Sequence, residues 1–410
     1  MKYNTATLPN GLRIIHLPST SPVVYCGYGI KAGTRNELQG EEGVAHFCEH
    51  TTFKGTEHRR AWHIINCLET VGGELNAFTN KEDTVYYSAI LKEHTAKAVD
   101  LLSDIVFHSR YPQQEIDKEI EVICDEIESY NDSPAELIYD LFENLIFKGH
   151  PLGHNILGEA SQLRTYTTAT ATAFTSRYYK PENAIFFAYG DIDFKRLVSL
   201  LKRTTKGFPA STPIIGDSQT ACSLPPYEPQ EKTIEKGTHQ AHVMIGNRAY
   251  SVHDERRMAL FLLNNILGGP GMNARFNLSL RERHGLVYTV DSSMVTYSDT
   301  GVWCVYFGCD PHDVSRCRRL VAKELQRVME KPLSTAQLNA AKRQIKGQLV
   351  VACDNRESFA LDFGKSFLHY GWEKDIHNLF QRIDALTAEQ IQQVAQETFS
   401  PERLTTLIIK

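Results

Sequence analysis

Residues 174–187 read Phe-Thr-Ser-Arg-Tyr-Tyr-Lys-Pro-Glu-Asn-Ala-Ile-Phe-Phe, and residues 396–409 read Gln-Glu-Thr-Phe-Ser-Pro-Glu-Arg-Leu-Thr-Thr-Leu-Ile-Ile. Each is a helix end that meets Pro-Glu, at 181–182 and 401–402, and then turns into a short apolar strand, so the offset is 220 residues. Proline cannot continue a helix, because it lacks the N–H and its ring clashes with the preceding turn. Other pairs fall near the same offset. Val85-Tyr86-Tyr87-Ser88-Ala89-Ile90-Leu91 reads as a strand leading into a helix from Thr95 to Val106. Val302-Trp303-Cys304-Val305-Tyr306-Phe307-Gly308 leads likewise into a helix from about Asp313 to Met329. Long helical segments near 112–147 and 334–352 also correspond. A constant offset with shared punctuation is the mark of a duplicated unit.

Between the copies, Pro209 through Pro229 holds five prolines and little apolar periodicity, as a linker does. The division expected is therefore a first domain over 1–211, a proline-rich linker over 212–230 and a second domain over 231–410. Asn10-Gly11, between Ala6-Thr7-Leu8 and Leu12-Arg13-Ile14-Ile15-His16, is a hairpin signal. Paired strands mixed with long amphipathic helices predict an α+β fold: two structurally repeated domains, each a mostly antiparallel sheet packed by helices.

Of the 410 residues, 42% are hydrophobic and 23% charged, which excludes a disordered, collagen-like or coiled-coil chain. A net charge of −5 gives no electrostatic case for nucleic acid as a partner. No apolar run approaches the roughly 18 residues that span a bilayer, so no membrane association is expected. The start, Met1-Lys2-Tyr3-Asn4-Thr5, lacks the basic and apolar regions of a signal peptide. Nine cysteines, an odd number with no CxxC pair, read as reduced, mostly buried thiols. The expected location is the cytoplasm.

His46-Phe47-Cys48-Glu49-His50 lies in a helix-compatible stretch. Residues at i and i+4 project from one helix face about a turn apart, which suits two imidazole nitrogens on one zinc ion. Glu49 lies beside His50 around the helix, within reach of a metal-bound water without ligating. The order HxxEH is the inverted form of the usual zinc-peptidase motif. A third ligand is sought in the helix from Gln113 to Ile127, where Ile116, Ile120, Ile123 and Ile127 define a buried stripe. Glu119 and Glu126, two turns apart, share a face bordering that stripe. Spacing alone leaves Glu115, Glu119, Glu121 and Glu126 open.

His46–His50 followed by Phe53-Lys54-Gly55-Thr56, Leu75-Asn76-Ala77-Phe78-Thr79 and Thr84-Val85-Tyr86-Tyr87 resembles the pitrilysin-type inverted-motif zinc peptidases. Within them it most resembles the two-domain, mitochondrial-processing-peptidase-like branch, over nearly the whole chain. The resemblance implies one Zn2+ per chain in the first domain, on His46, His50 and Glu126, the glutamate of Val122-Ile123-Cys124-Asp125-Glu126. It implies Glu49 as general base and Glu119 as a supporting carboxylate. Leu280-Arg281-Glu282-Arg283-His284-Gly285-Leu286-Val287-Tyr288 matches the stretch whose Arg and Tyr contact substrate, giving Arg281 and Tyr288 in the second domain. Asn76, Ala77 and Phe78 match the strand that binds peptide by edge pairing. Two departures stand out. Cys48 replaces the usual Leu within the motif, and Pro270 interrupts the glycine-rich turn Leu267-Gly268-Gly269-Pro270-Gly271-Met272.

The function so implied is a zinc metalloendopeptidase, cleaving extended, unfolded peptides in a chamber between two subunits. In that arrangement Arg281 and Tyr288 complete the zinc site of the facing subunit. One chain carries both sets, so a homodimer is expected, with a heterodimer of sister subunits as the variant. The alternative is a non-catalytic or partner-dependent scaffold subunit of the same family.

Overall fold

The computed structural model describes residues 2–215 and 223–410. Part of the linker expected over 212–230, and Cys222, lie outside the described residues. The chain divides into two compact units, and neither is contiguous in sequence. The first takes residues up to Glu128, from His154 into the linker, and Ala352–Asp375. The second takes Ser129–Gly153, Ser223–Val351 and Ile376–Lys410.

The first unit is built on six strands: β1 (Asn4–Thr7), β2 (Arg13–Pro18), β3 (Val23–Ile30), β4 (Glu74–Thr79), β5 (Thr84–Leu91) and β6 (Ala184–Gly190). Their order is β1-β2-β6-β3-β5-β4, antiparallel throughout except that β2 runs parallel to β6. The expected hairpin at Asn10-Gly11 joins β1 to β2, with Gly11 at φ 86°, a backbone that favours glycine. Alternation decides which core each strand residue enters. Ile14, Tyr86 and Phe186 join the large core beneath α1 (Val44–Thr52), α2 (Ala61–Glu69), α3 (Thr95–Phe107) and α4 (Gln113–Asn131). Ile15, Tyr87 and Phe187 point the other way, onto Phe359, Phe363 and Phe367 of the helix Arg356–Tyr370.

The second unit repeats this plan with β7 (Glu231–Ile234), β8 (Ala241–Ala249), β9 (Val287–Thr296), β10 (Gly301–Cys309) and β11 (Thr405–Ile409), in the order β7-β11-β8-β10-β9. Strand for strand this equals β2-β6-β3-β5-β4, including the one parallel pair, β7 with β11. Trp303, Val305 and Phe307 enter one core, whereas Val302, Cys304 and Tyr306 face α5 (Pro134–Ile146), whose Ile138, Phe142 and Ile146 are buried there.

The units depart from the contiguous division at 211 and 231 because each sheet has two apolar faces and each must be covered. The helix over one face of the first sheet comes from residues 356–370, and that over one face of the second from residues 134–146. The segment expected to be helical over 112–147 is two helices. Asn131 ends α4 and Pro134 opens α5, where its missing N–H costs nothing. Among the described residues, no helix is long and apolar enough to cross a membrane.

Candidate metal centre

The helix α1 carries the site, and its start is fixed in two ways. Gly43 caps it at φ 91°, and a Cβ there would lie 2.8 Å from Gly158 Cα, so only glycine fits. Buried Glu37 accepts hydrogen bonds from the backbone N–H of Gly43 (3.0 Å) and Ala45 (2.8 Å), and pairs with His154 Nε2 at 2.7 Å. A carboxylate at a helix N-terminus satisfies orphan donors and complements the dipole. Phe47 and Cys48 pack inward, fully buried. Cys48 therefore acts as a small apolar filler, and burial pushes its thiol pKa up.

That packing turns His46 and His50 the other way, with ring centroids 4.5 Å apart. From α4, Glu126 brings Oε2 to 3.4 Å from His50 Nε2 and 3.9 Å from His46 Nε2. The donor atoms of these three residues lie within 4.8 Å of one another, the one such group among the described residues. Two turns earlier, Glu119 Oε1 meets His50 Nδ1 at 3.1 Å while its Oε2 pairs with Lys54 Nζ at 2.5 Å. Glu49 projects beside them, and its Oε2 accepts a 2.5 Å hydrogen bond from the Thr79 hydroxyl at the end of β4.

The electrostatics divide the roles. Burial, reinforced by the His50 charge and only partly offset by Glu126, lowers the His46 pKa to about 4, so its ring is neutral near pH 7. Burial also opposes charge on His50, but hydrogen bonds with Glu119 and Glu126 raise it to about 9. Glu126 is held below the usual carboxylate range by its hydrogen bond with His50, against burial. For Glu119 burial is outweighed by hydrogen bonds from His50 and Lys54. Glu49 alone among these carboxylates is raised, chiefly by burial.

His46 supplies the test of whether a metal fits. Its Nδ1 is buried without a partner, and its Nε2 lies beyond hydrogen-bond reach of Glu126. The Nε2 atoms of His46 and His50 stand 3.9 and 3.4 Å from the same Glu126 Oε2, a spacing that suits a shared ligand better than it suits the His46 hydrogen bond. Ligands about 2.1 Å from a tetrahedral zinc stand roughly 3.4 Å apart, close to the observed spacings. Two imidazoles and one carboxylate, backed by a further carboxylate on His50 Nδ1, form a donor set suited to zinc.

Beside the cluster opens a cleft of about 350 Å3, floored by Glu49, His50 and Glu119 and walled by Phe53, Ile65, Leu75, Asn76 and Ala77. Asn76 and Ala77 thus lie at the cleft. The Phe78 ring turns away to pack 6.1 Å from Tyr87, leaving its backbone on the strand. Among the described residues β4 pairs only with β5, so its outer edge is open. Arg281 and Tyr288 belong to the second unit. Arg281, in the π-helical turn Asn277–Glu282, stacks 5.7 Å over the ring of Tyr288, which is 82% exposed at the start of β9. Sequence reasoning gave Thr79, Lys54 and Glu37 no role. Period two along β4 puts Thr79 on the face of Leu75 and Ala77, and Lys54 follows His50 by one turn, so both signals were present.

Residues 14–160 match the family described as insulinase (peptidase family M16), and residues 166–345 match the peptidase M16 inactive domain. An uncharacterized zinc protease of Bacillus subtilis is 31% identical over 404 residues, spanning 98% of this chain and 97% of that protein. The chain belongs to peptidase family M16. An uncharacterized zinc protease of Mycobacterium bovis is 32% identical over 401 residues, 96% of this chain and 90% of its own length. These M16 relatives agree with the expectation of a zinc metallopeptidase. The M16 fold is seen again in a protease from Helicobacter pylori, with a TM-score of 0.91 at 22% identity over 100% of this chain and 99% of that one. A peptidase M16 inactive domain from Pseudomonas fluorescens gives a TM-score of 0.90 at 17% identity, covering 100% and 98%. The expected α+β fold of two repeated, mostly antiparallel units is the fold observed.

Proposed function

We propose that this M16 chain is a zinc-dependent endopeptidase acting on extended, unfolded peptides. The observation that carries the reading is the His46–His50–Glu126 cluster, whose donor atoms lie within 4.8 Å of one another beside an open strand edge. His46, His50 and Glu126 hold one zinc ion, which when bound supplies Lewis acidity toward water and the scissile carbonyl. Glu119 accepts the proton of His50 Nδ1, which fixes the tautomer that leaves Nε2 free.

Glu49 is the general base. Thr79 donates to its Oε2, which leaves Oε1 to take the proton of the attacking water and later give it to the leaving amine. Burial raises its pKa, which makes the carboxyl a better proton acceptor than an exposed glutamate. The substrate backbone adds as a strand to the β4 edge at Asn76–Phe78, a pairing that only extended chain can make. The chain works as a homodimer in the cytoplasm. Tyr288 of a second copy donates to the developing oxyanion, and Arg281 of that copy holds a substrate carbonyl or carboxylate.

The test is cleavage of a quenched-fluorescent, unstructured peptide pool by zinc-loaded protein beside Glu49→Gln. The expected result is turnover by the wild type and a loss of about 10²–10⁴-fold in the variant at equal zinc content. Equal turnover removes Glu49 from the chemistry. Silence from both, with zinc bound, favours a partner-dependent subunit.

A further inference from the structure

Behind the turn that carries Arg281, the second unit holds a cavity of about 300 Å3 lined by Arg275, Leu278, Arg283, Glu324, Arg327 and Gln337. It contains three guanidinium groups and one carboxylate. That carboxylate is already engaged: Glu324, only 5% exposed, pairs with Arg327 at 2.5 Å. Among the described residues neither Arg275 nor Arg283 has a side-chain hydrogen bond or an ion pair. Arg275 is half-buried, and both burial and the neighbouring Arg327 charge disfavour its protonated form, against Glu324. A half-buried guanidinium with neither a hydrogen bond nor an ion pair is costly unless something compensates it. Buried Arg13, for example, donates to the carbonyls of Phe367 and Leu368 at 2.6 and 2.7 Å.

We infer that this cavity is a binding site for a doubly charged oxyanion of the phosphate class, held by Arg275, Arg283 and Arg327. Three cations against one carboxylate leave a surplus of two positive charges, which a dianion cancels and a monocarboxylate does not. Guanidinium forks match the geometry of phosphate oxygens and bind them in pairs. Arg275 and Gln337 also line a second cavity of about 220 Å3 with Asn265, Asn273 and Gln344. The Asn273 and Gln344 amides bond each other, and the Asn265 and Gln337 amides can receive the polar remainder of a larger phosphorylated molecule, so free phosphate and a phosphate ester share the same head site.

The experiment is titration of the full-length, zinc-loaded protein with inorganic phosphate, followed by calorimetry and thermal midpoint. Sodium chloride and sodium acetate at matched ionic strength are the controls. Phosphate is expected to bind with measurable heat and to raise the midpoint above both controls. Arg283→Gln, at an exposed position, is expected to weaken it by about tenfold, the value of one charge-assisted hydrogen bond. Arg275→Gln is expected to do the same or more, and if that variant fails to fold, Arg283→Gln decides alone. A response no larger than with chloride, one equalled by acetate, or one unchanged in Arg283→Gln overturns the assignment. Sugar phosphates and nucleotides at the same concentration then separate the sources: tighter binding than phosphate assigns the amide cavity to the ester, and equal binding confines the site to the head group. Neither readout depends on peptide cleavage, so the result stands apart from the peptidase reading.

Discussion

Glu119 and Glu126 lie on one face of α4, yet their surroundings give them different work. Glu126 faces both imidazoles and is 45% exposed in its side chain, whereas Glu119 is tied down between His50 and Lys54. Replacing Glu126 with Gln is therefore expected to strip zinc from the folded protein, read as metal content after dialysis. Retained zinc at one per chain would move the third ligand elsewhere. Lys54 acts one step further out. Its ammonium pairs with Glu119 Oε2 while Oε1 meets His50 Nδ1, so Lys54→Met is expected to weaken zinc binding by roughly tenfold in chelator competition. Unchanged affinity would reduce Lys54 to a surface ion pair, which contributes little.

At the scale of elements, the contact that fastens the helix Arg356–Tyr370 to the first sheet is polar as well as aromatic. Asp83, fully buried in the turn between β4 and β5, accepts from Asn80 Nδ2 at 2.8 Å and pairs with Lys365 Nζ at 3.0 Å and His369 Nε2 at 3.1 Å. Burial alone would raise its pKa, but Lys365, His369 and Asn80 together hold it well below the usual carboxylate range. A depressed carboxylate stabilises the fold above its unfolded pKa, near 4, and loses that contribution as pH falls through the folded value. Asp83→Asn is expected to lower stability at pH 7 by about 1–3 kcal/mol. Urea midpoints of wild type and variant should draw together progressively as pH falls below about 4, where the unfolded chain takes up the proton that folded Asp83 still refuses. A gap that stays constant from pH 7 to pH 3 would deny the linkage.

For the whole molecule, two sheets of one strand order follow from a duplicated sequence, but only one copy holds the metal-compatible cluster among the described residues. Glu126 corresponds by offset to a position near Gln348, an amide, and no HxxEH occurs in the second half. The second copy keeps Arg281 and Tyr288 instead, side by side and exposed. If those groups complete the zinc site of a partner, Glu49→Gln mixed with Tyr288→Phe should recover part of the activity that each loses alone. In a random mixture of dimers about half are mixed, and each of these carries one intact site. No recovery in proven mixed dimers would place Tyr288 in the site of its own chain.

The sequence by itself determined whatever is local or periodic. The HxxEH pair on one helix face, the isoleucine stripe of α4, the Pro-Glu punctuation and the repeat all follow from 3.6-residue and two-residue geometry. Most of the architecture was legible for that reason, as were His46, Glu49 and His50. Spacing could not choose Glu126 over its neighbours, because four glutamates share one amphipathic helix and only docking against α1 decides which of them meets the imidazoles. The grip of Thr79 on Glu49, the Lys54–Glu119 pair and the approach of Arg327 to Arg275 and Arg283 around one cavity join residues 30 or more positions apart, where no periodicity applies. The exchange of residues 129–153 and 352–375 between units is likewise tertiary. An apolar helix face states that it must be covered, but which sheet covers it is settled by the competition between whole surfaces in the folded chain.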